Sequence, residues 1–236
     1  MKIFCHVGAP KTATTSIQQF LSAHRDALLS DFGIYLPKSI AGSQDLSHFM
    51  LNVAALDNDR DSPMKAVMGL TSESQIDALR YQVSASIEEH IKDAKLLGAK
   101  SILYTNEGLY FLNRTNELRR LLTLFTGIKP EIILFLREAI SFRKSLLAQF
   151  TRNGFNVDTD GYSFLDFSSD SWLFNYDDRK LFFGNADFTD QCHVRDYSPD
   201  GVLEEFLTII GAKNATVDQE PRLNVSPPEQ VTEKEK

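Results

Sequence analysis

The run Glu131-Ile132-Ile133-Leu134-Phe135-Leu136 constrains the fold more than any other segment, because after its first residue it is apolar without a break. A strand sends alternate side chains to opposite faces, so such a run must be covered on both faces, as a central strand of a parallel sheet is. Around it, short β-rich runs alternate with longer helical patterns, which is the signature of βαβ units. The sequence therefore predicts an α/β protein: a three-layer α/β/α arrangement around a mainly parallel central sheet.

The other elements follow from periodicity and punctuation. Strands are expected at Lys2 to Val7, in the short extended piece Gly33 to Pro37, at Ser101 to Tyr104 and near Cys192 to Arg195. Helices are expected from about Thr14, with Ile17, Phe20, Leu21 and Leu28 on one face, and at Leu46 to Leu56 and Glu73 to Leu97. Further helices are expected around Glu117 to Phe125, Ile140 to Arg152 and Asp200 to Ile210. Gly98 stands where a left-handed cap would end the long helix. Residues 57–63 read as a polar loop. Periodicity is weak from Asn153 to Asp190, where Phe155, Tyr162, Phe164, Phe167, Trp172, Phe174 and Tyr176 are scattered among polar residues. Two readings of that segment stay open, an aromatic acceptor pocket or a satellite cluster pinning a long loop, and the second is favoured. One domain over residues 1–226 and a flexible tail over 227–236 account for the length.

Charge narrows the partners. With 25 Lys and Arg against 32 Asp and Glu, the net charge is −7, and no basic stripe runs along the chain. Nucleic acid and anionic membranes are poor partners for such a surface. No apolar run is long enough to span a bilayer, and the N-terminus does not read as a signal peptide, so the expectation is a cytoplasmic protein with no stable membrane insertion. Cys5 and Cys192 lie in separate segments and are expected as buried free thiols. Asn113, Asn214 and Asn224 sit in N-x-[ST] patterns that carry no glycan in that compartment.

The chemistry concentrates in Gly8-Ala9-Pro10-Lys11-Thr12-Ala13-Thr14-Thr15-Ser16, between the first strand and the first helix. A strand, a tight loop and a helix N-terminus turn backbone N–H groups toward one point, which is a cradle for an anion. A nucleoside triphosphate loop would place Gly at position 13 and Lys at position 14, counted from Gly8. Here Ala13 and Thr14 stand there and the lysine is Lys11, so the spacing disfavours an ordinary ATP or GTP site.

The segment from His6 to Ser16 resembles the 5′-phosphosulfate loop of sulfotransferases that use 3′-phosphoadenosine 5′-phosphosulfate (PAPS), whose pattern is close to P-K-[ST]-G-T-T. The resemblance implies a P-loop NTPase-like sulfotransferase fold and a loop in which Lys11, Thr12, Ala13, Thr14, Thr15 and Ser16 contact the nucleotide. Ala13 replaces the family's usual Gly and is expected to be a tolerated variant, at no cost if it is α-helical and about 1 kcal/mol if φ is positive. The family's 3′-phosphate motif places an Arg at a strand end and a Ser eight residues on, and Arg137 and Ser145 have that spacing. The family often has Pro two residues after that Arg, where this chain has Ala139. The end of the chain, Val194-Arg195-Asp196-Tyr197 and then Arg222-Leu223-Asn224-Val225-Ser226, is similar to the closing segment of bacterial sulfotransferases. Arg222 is read either as a contact to the nucleotide phosphate or as a cation of the tail.

What the resemblance implies is a transferase with PAPS as co-substrate and no metal, passing a sulfuryl group to a small molecule or carbohydrate. Lys11 would neutralise the leaving oxygen. Glu107, at the end of a strand, is the first candidate for the base that deprotonates the acceptor, and His48 the second. The alternatives are a small-molecule kinase using Mg-ATP and a non-catalytic nucleotide-binding protein of the same fold. Acceptor identity and oligomeric state are not legible.

Overall fold

The computed structural model describes residues 1–44, 47–152, 167 and 171–215. In chain order the elements are β1 (Lys2–His6), α1 (Thr14–Ala23), α2 (Arg25–Phe32), β2 (Ile34–Tyr35), α3 (Met50–Ala55), α4 (Pro63–Val67), α5 (Glu73–Leu96) and β3 (Ser101–Thr105). A 3-10 helix (Glu107–Phe111) follows, then α6 (Thr115–Leu124), β4 (Glu131–Leu136), α7 (Ala139–Arg152), α8 (Tyr176–Phe183), β5 (Gln191–Asp196) and α9 (Val202–Ile209). Among the described residues no helix is long and apolar enough to cross a membrane.

The strands form one sheet in the order β2-β3-β1-β4-β5, every pair parallel. Alternation along the strands sorts the core into two halves. Ile3, Cys5, Ile102, Tyr104, Ile132 and Leu134 face one layer with α3, α5, α6, α7 and α8. Phe4, Leu103, Ile133 and Phe135 face the other, with α1, α2 and α9. The expected three-layer α/β/α architecture is thus the observed one, and β4, buried at all six positions, is its covered central strand.

Several boundaries differ from the sequence reading, each for a local reason. The first helix is two: it stops at Ala23, where His24 leaves helical geometry and both its backbone N–H and its Nδ1–H donate to Phe20 O (3.0 and 2.9 Å). Helix α3 starts at Met50 because His48 has φ 44°, a left-handed conformation that cannot sit inside a helix. Helices α4 and α8, invisible to periodicity, are short and set by caps: Ser62 accepts from Met64 N–H before Pro63, and Asn175 accepts from Asp178 N–H. Cys5 is buried as expected, whereas Cys192 is only partly buried; both are free thiols.

The long stretch between β2 and β3 is held by polar groups. Glu117, fully buried at the start of α6, accepts both bonds from Arg60 Nη1 (2.6 and 2.8 Å) and the backbone N–H groups of Asp57, Asn113 and Arg114 (3.1, 2.9 and 3.2 Å). Lys65, also buried, donates to the carbonyls of Asp57 and Arg60 (2.7 and 2.9 Å). The charge of a carboxylate so surrounded is compensated inside the protein, and its loss takes the carboxylate from buried Arg60, which keeps Phe111 O (2.9 Å) as an acceptor. Glu117→Ala should therefore cost about 3–5 kcal/mol in urea unfolding; a loss below 1 kcal/mol would show that the network holds nothing together.

Candidate active site

Strand β1 is central, with β3 on one side and β4 on the other, although the chain visits β2 first. That reversal leaves a crevice beyond the carboxyl ends of the strands, where α/β sheets bind ligands. Four strand ends meet there: the loop after β1, Glu107 after β3, Arg137 after β4 and Tyr197 after β5.

The loop is tied to the sheet before it turns. Val7 N–H donates to Ile133 O (3.0 Å) and Ala9 N–H to Phe135 O (3.3 Å), which continues the pairing beside β4. Buried Thr12 then closes the turn by donating to Ala9 O (2.6 Å). Gly8 is required by space, since a β-carbon there would lie 2.7 Å from His6 Nε2 and 3.2 Å from Thr14 Cγ2. The His6 ring is fully buried beneath the loop, bonded to Thr105 Oγ1 (3.1 Å), and burial pushes its pKa down to about 3.

Lys11 and Ala13 both have left-handed backbone, with φ 71° and 58°. Ala13 therefore occupies a position at which glycine has no steric cost, and a β-carbon there is not free; each such residue costs on the order of 1–2 kcal/mol. Ala13 also supplies no side-chain cap to α1, which leaves the first-turn N–H groups of that helix without a side-chain partner of the usual kind.

The cavity above the loop encloses about 160 Å³ and is lined by Lys11, Ala13, Thr14, Thr15, Ser16, Glu107, Arg137, Ser145, Gln149 and Tyr197. Small-molecule sites usually run from roughly 300 to 1,000 Å³, so this space fits the anionic groups of a ligand, with the remainder lying outside it. Arg137 Nε donates to Ser141 Oγ (2.9 Å), which in turn donates to Glu138 O (3.0 Å). The terminal nitrogens of Arg137 and the ammonium of Lys11 have no partner among the described residues. Backbone N–H groups of Ile140 and Ser141 (2.9 and 2.7 Å) hold the Glu138 carboxyl below the usual carboxylate range, so this acid is committed to starting α7. Glu107 Oε2 accepts from the Thr14 hydroxyl.

The structure thus brings Lys11, Ala13, Thr14, Thr15, Ser16, Glu107, Arg137 and Ser145 to one cavity, with Thr12 buried beneath it; Arg222 lies outside the described residues. His48 is elsewhere. It is buried in the wall behind β3, where Nδ1 accepts from Thr105 N–H (3.2 Å) and Nε2–H donates to Pro37 O (3.1 Å). Both ring nitrogens are occupied and burial pushes its pKa down to about 4, which corrects its candidacy as a base. Gln149 was missed, and its signal was available: it stands one turn after Ser145 on α7, on the same face. Among the described residues no three His, Cys, Asp or Glu side chains gather to hold a metal ion. Of the aromatic segment, Phe155, Tyr162 and Phe164 lie outside the described residues; Trp172 and Phe174 pack on the core and the Tyr176 hydroxyl donates to Arg137 O.

No protein-family model matches the sequence, and no curated protein matches it. Among solved structures, the fold is similar to that of a sulfotransferase from Alicyclobacillus acidocaldarius, with a TM-score of 0.52 over 96% of this chain and 87% of that one, at 16% sequence identity. At that identity the likeness concerns the fold alone, an all-parallel five-stranded α/β/α sandwich similar to that of the bacterial protein.

Two measurements probe this wall and loop. Ala13→Gly should raise stability by about 0.5–1 kcal/mol in urea unfolding, the released strain exceeding the entropy that glycine adds to the unfolded chain; a loss would show that the left-handed turn is not where the strain lies. His48 is neutral when folded but takes a proton below about pH 6.5 when unfolded, so the stability it confers is complete above pH 6.5 and lost as pH falls toward 4. Between pH 7 and pH 4 wild type should therefore lose up to about 3 kcal/mol more stability than His48→Gln; a gap independent of pH would contradict burial of the neutral ring.

Proposed function

We propose that the protein is a sulfotransferase that takes PAPS as co-substrate and passes its sulfuryl group to a hydroxyl or amine of a small molecule or carbohydrate. The observation that carries this reading is the convergence of Lys11, Arg137 and Ser145, more than 120 residues apart at the extremes, on one cavity with Glu107. The shared fold agrees with it, and so does the lysine's place inside the loop rather than at its end.

The residues present fit an anionic nucleotide. The first-turn N–H groups of α1, the hydroxyls of Thr14 and Thr15 and two cations with no carboxylate partner among the described residues offer donors to phosphate and sulfate oxygens. Arg137 and Ser145 hold the 3′-phosphate, the planar guanidinium from the strand end and the hydroxyl from two turns along α7. PAPS supplies a sulfuryl group on an anhydride whose bridging oxygen gathers charge as it leaves. Lys11 stands at the loop to neutralise that charge, with loop N–H groups assisting. Glu107, across the cavity, accepts the proton of the attacking acceptor. Catalysis is then mostly positioning and charge stabilisation, as in phosphoryl transfer.

Adenosine 3′,5′-bisphosphate should raise the melting temperature without added metal, whereas Mg-ATP should not. Radiolabelled PAPS incubated with a metabolite extract should label an acceptor with wild type, and Lys11→Ala should lose about 10²–10³-fold of that turnover. Stabilisation by Mg-ATP alone would move the reading to a kinase, and binding of the bisphosphate with no transfer to any acceptor would leave a nucleotide-binding protein.

A further inference from the structure

The hydrogen bond between Thr14 and Glu107 joins two groups that the proposed reaction needs separately. Thr14 is 4% exposed and opens α1 beside Lys11, and its hydroxyl donates to Glu107 Oε2. A threonine hydroxyl carries a single proton and can donate to one strong acceptor at a time. A phosphate or sulfate oxygen on the loop competes for that proton, and so does the carboxylate.

Resting on the sulfonucleotide reading, we propose that Thr14 is a gate coupling nucleotide binding to the release of the base. In the empty protein the Thr14 O–H points to Glu107, and the carboxylate oxygen facing the cavity is occupied. When the nucleotide arrives, the same O–H turns to its 5′-end oxygens, the Glu107 Oε2 lone pairs are freed, and the carboxylate stays ionised and able to take the acceptor's proton. No proton leaves either group in this exchange. Its consequence is a bias in the order of binding: relieved of the Thr14 donor, the carboxylate is the stronger proton acceptor in the nucleotide complex, so the nucleotide binding first favours the productive route. The rest of the wall is compatible with such a switch, because Glu107 is fixed through its neighbours rather than through its own side chain. Asn106 N–H donates to His6 O (2.9 Å), Asn106 Nδ2 to His48 O (2.9 Å) and Gly108 N–H to Asn106 Oδ1 (2.7 Å), so the backbone stays in place when the Thr14 bond breaks.

The test is a double-mutant cycle read by calorimetry with adenosine 3′,5′-bisphosphate on the full chain, using Thr14→Val, Glu107→Ala and the pair. Removing Glu107 removes both a competitor for the hydroxyl and a negative charge, so Glu107→Ala should bind about tenfold tighter than wild type. In the Thr14→Val background only the charge effect remains, and the gain should fall to about threefold or less. Thr14→Ser keeps the hydroxyl and should restore the full gain; Thr14→Ala replaces Thr14→Val in the cycle if circular dichroism shows the valine variant misfolded. An equal gain from Glu107→Ala with and without the hydroxyl overturns the gate while leaving the sulfonucleotide reading intact. Failure of the wild type to bind the bisphosphate at all overturns that reading and the gate with it.

Discussion

The rest of the molecule depends on β1 being hydrogen-bonded along both edges. Its parallel register with β3 runs from Lys2 opposite Ser101 to His6 opposite Thr105, and with β4 from Phe4 opposite Glu131 to His6 opposite Ile133. A strand held on both edges and buried on both faces has little freedom at its carboxyl end, so the loop that follows starts from a fixed point. The same pairing carries Thr105 and Leu136 up beside it, which sets Glu107 and Arg137 on either flank of Lys11. Three residues far apart in sequence are therefore aligned by backbone hydrogen bonds before any side chain contributes. Precision in a site of this kind comes from the sheet, and the loops only finish it.

Around that frame, buried polar groups do what apolar packing cannot do for irregular chain. Glu117 gathers Arg60 and three backbone donors, His48 caps the end of β3, and Arg179 fastens α8. Arg179 is 2% exposed and has no carboxylate partner among the described residues; it lies 4.7–5.0 Å from the ring centroids of Tyr110, Trp172, Phe182 and Phe183 and donates to the carbonyls of Tyr110 and Leu112 (2.8 and 2.6 Å). Burial pushes its pKa down to about 10, and the aromatic faces with the two carbonyls compensate the charge in place of an anion. Tyr176, on the same helix, reaches back to the carbonyl of Arg137. The chain beyond α7 is thus connected to the site through its backbone as well as through its core.

What the sequence revealed of this arrangement follows the range of the forces involved. β4 and α5 were legible because their signals are local: an unbroken apolar run, and a helical stripe bounded by the Ser72–Gln75 capping box and by Gly98, whose φ is 69°. That Lys11, Arg137 and Ser145 would meet at one cavity was legible because the spacing within each motif is itself a geometric statement about strand ends and helix turns. His48 was misread because its role is made by contacts with Pro37 and Thr105, 11 and 57 positions away, which no local pattern reports. The backbone of Ala13 stayed open for a different reason: a side chain that tolerates α, β and left-handed backbone at different cost does not announce which one it has taken, and the structure shows φ 58°. Gln149 carried a legible signal, one turn past Ser145, and lacked only a motif to draw attention to it.

The loop geometry and the overall charge together bear on how an anionic ligand would be recognised. A chain of net charge −7 repels a multiply charged anion at long range, but beyond about 8 Å at physiological salt that repulsion is largely screened. Selection then falls to groups within the cavity, where neither Lys11 nor Arg137 has a carboxylate partner among the described residues and Arg137 Nε is bonded to the Ser141 hydroxyl. Such cations are costly to leave unpaired in a cleft, and left-handed backbone at Lys11 and Ala13 adds strain to the same few residues. Both costs are already present in the empty protein, so an anion that fills the loop recovers the electrostatic part without having to reorganise the backbone. Lys11 and Arg137 reach one small cavity from different strand ends, the loop after β1 and the end of β4, which gathers two cations locally in a chain of net negative charge.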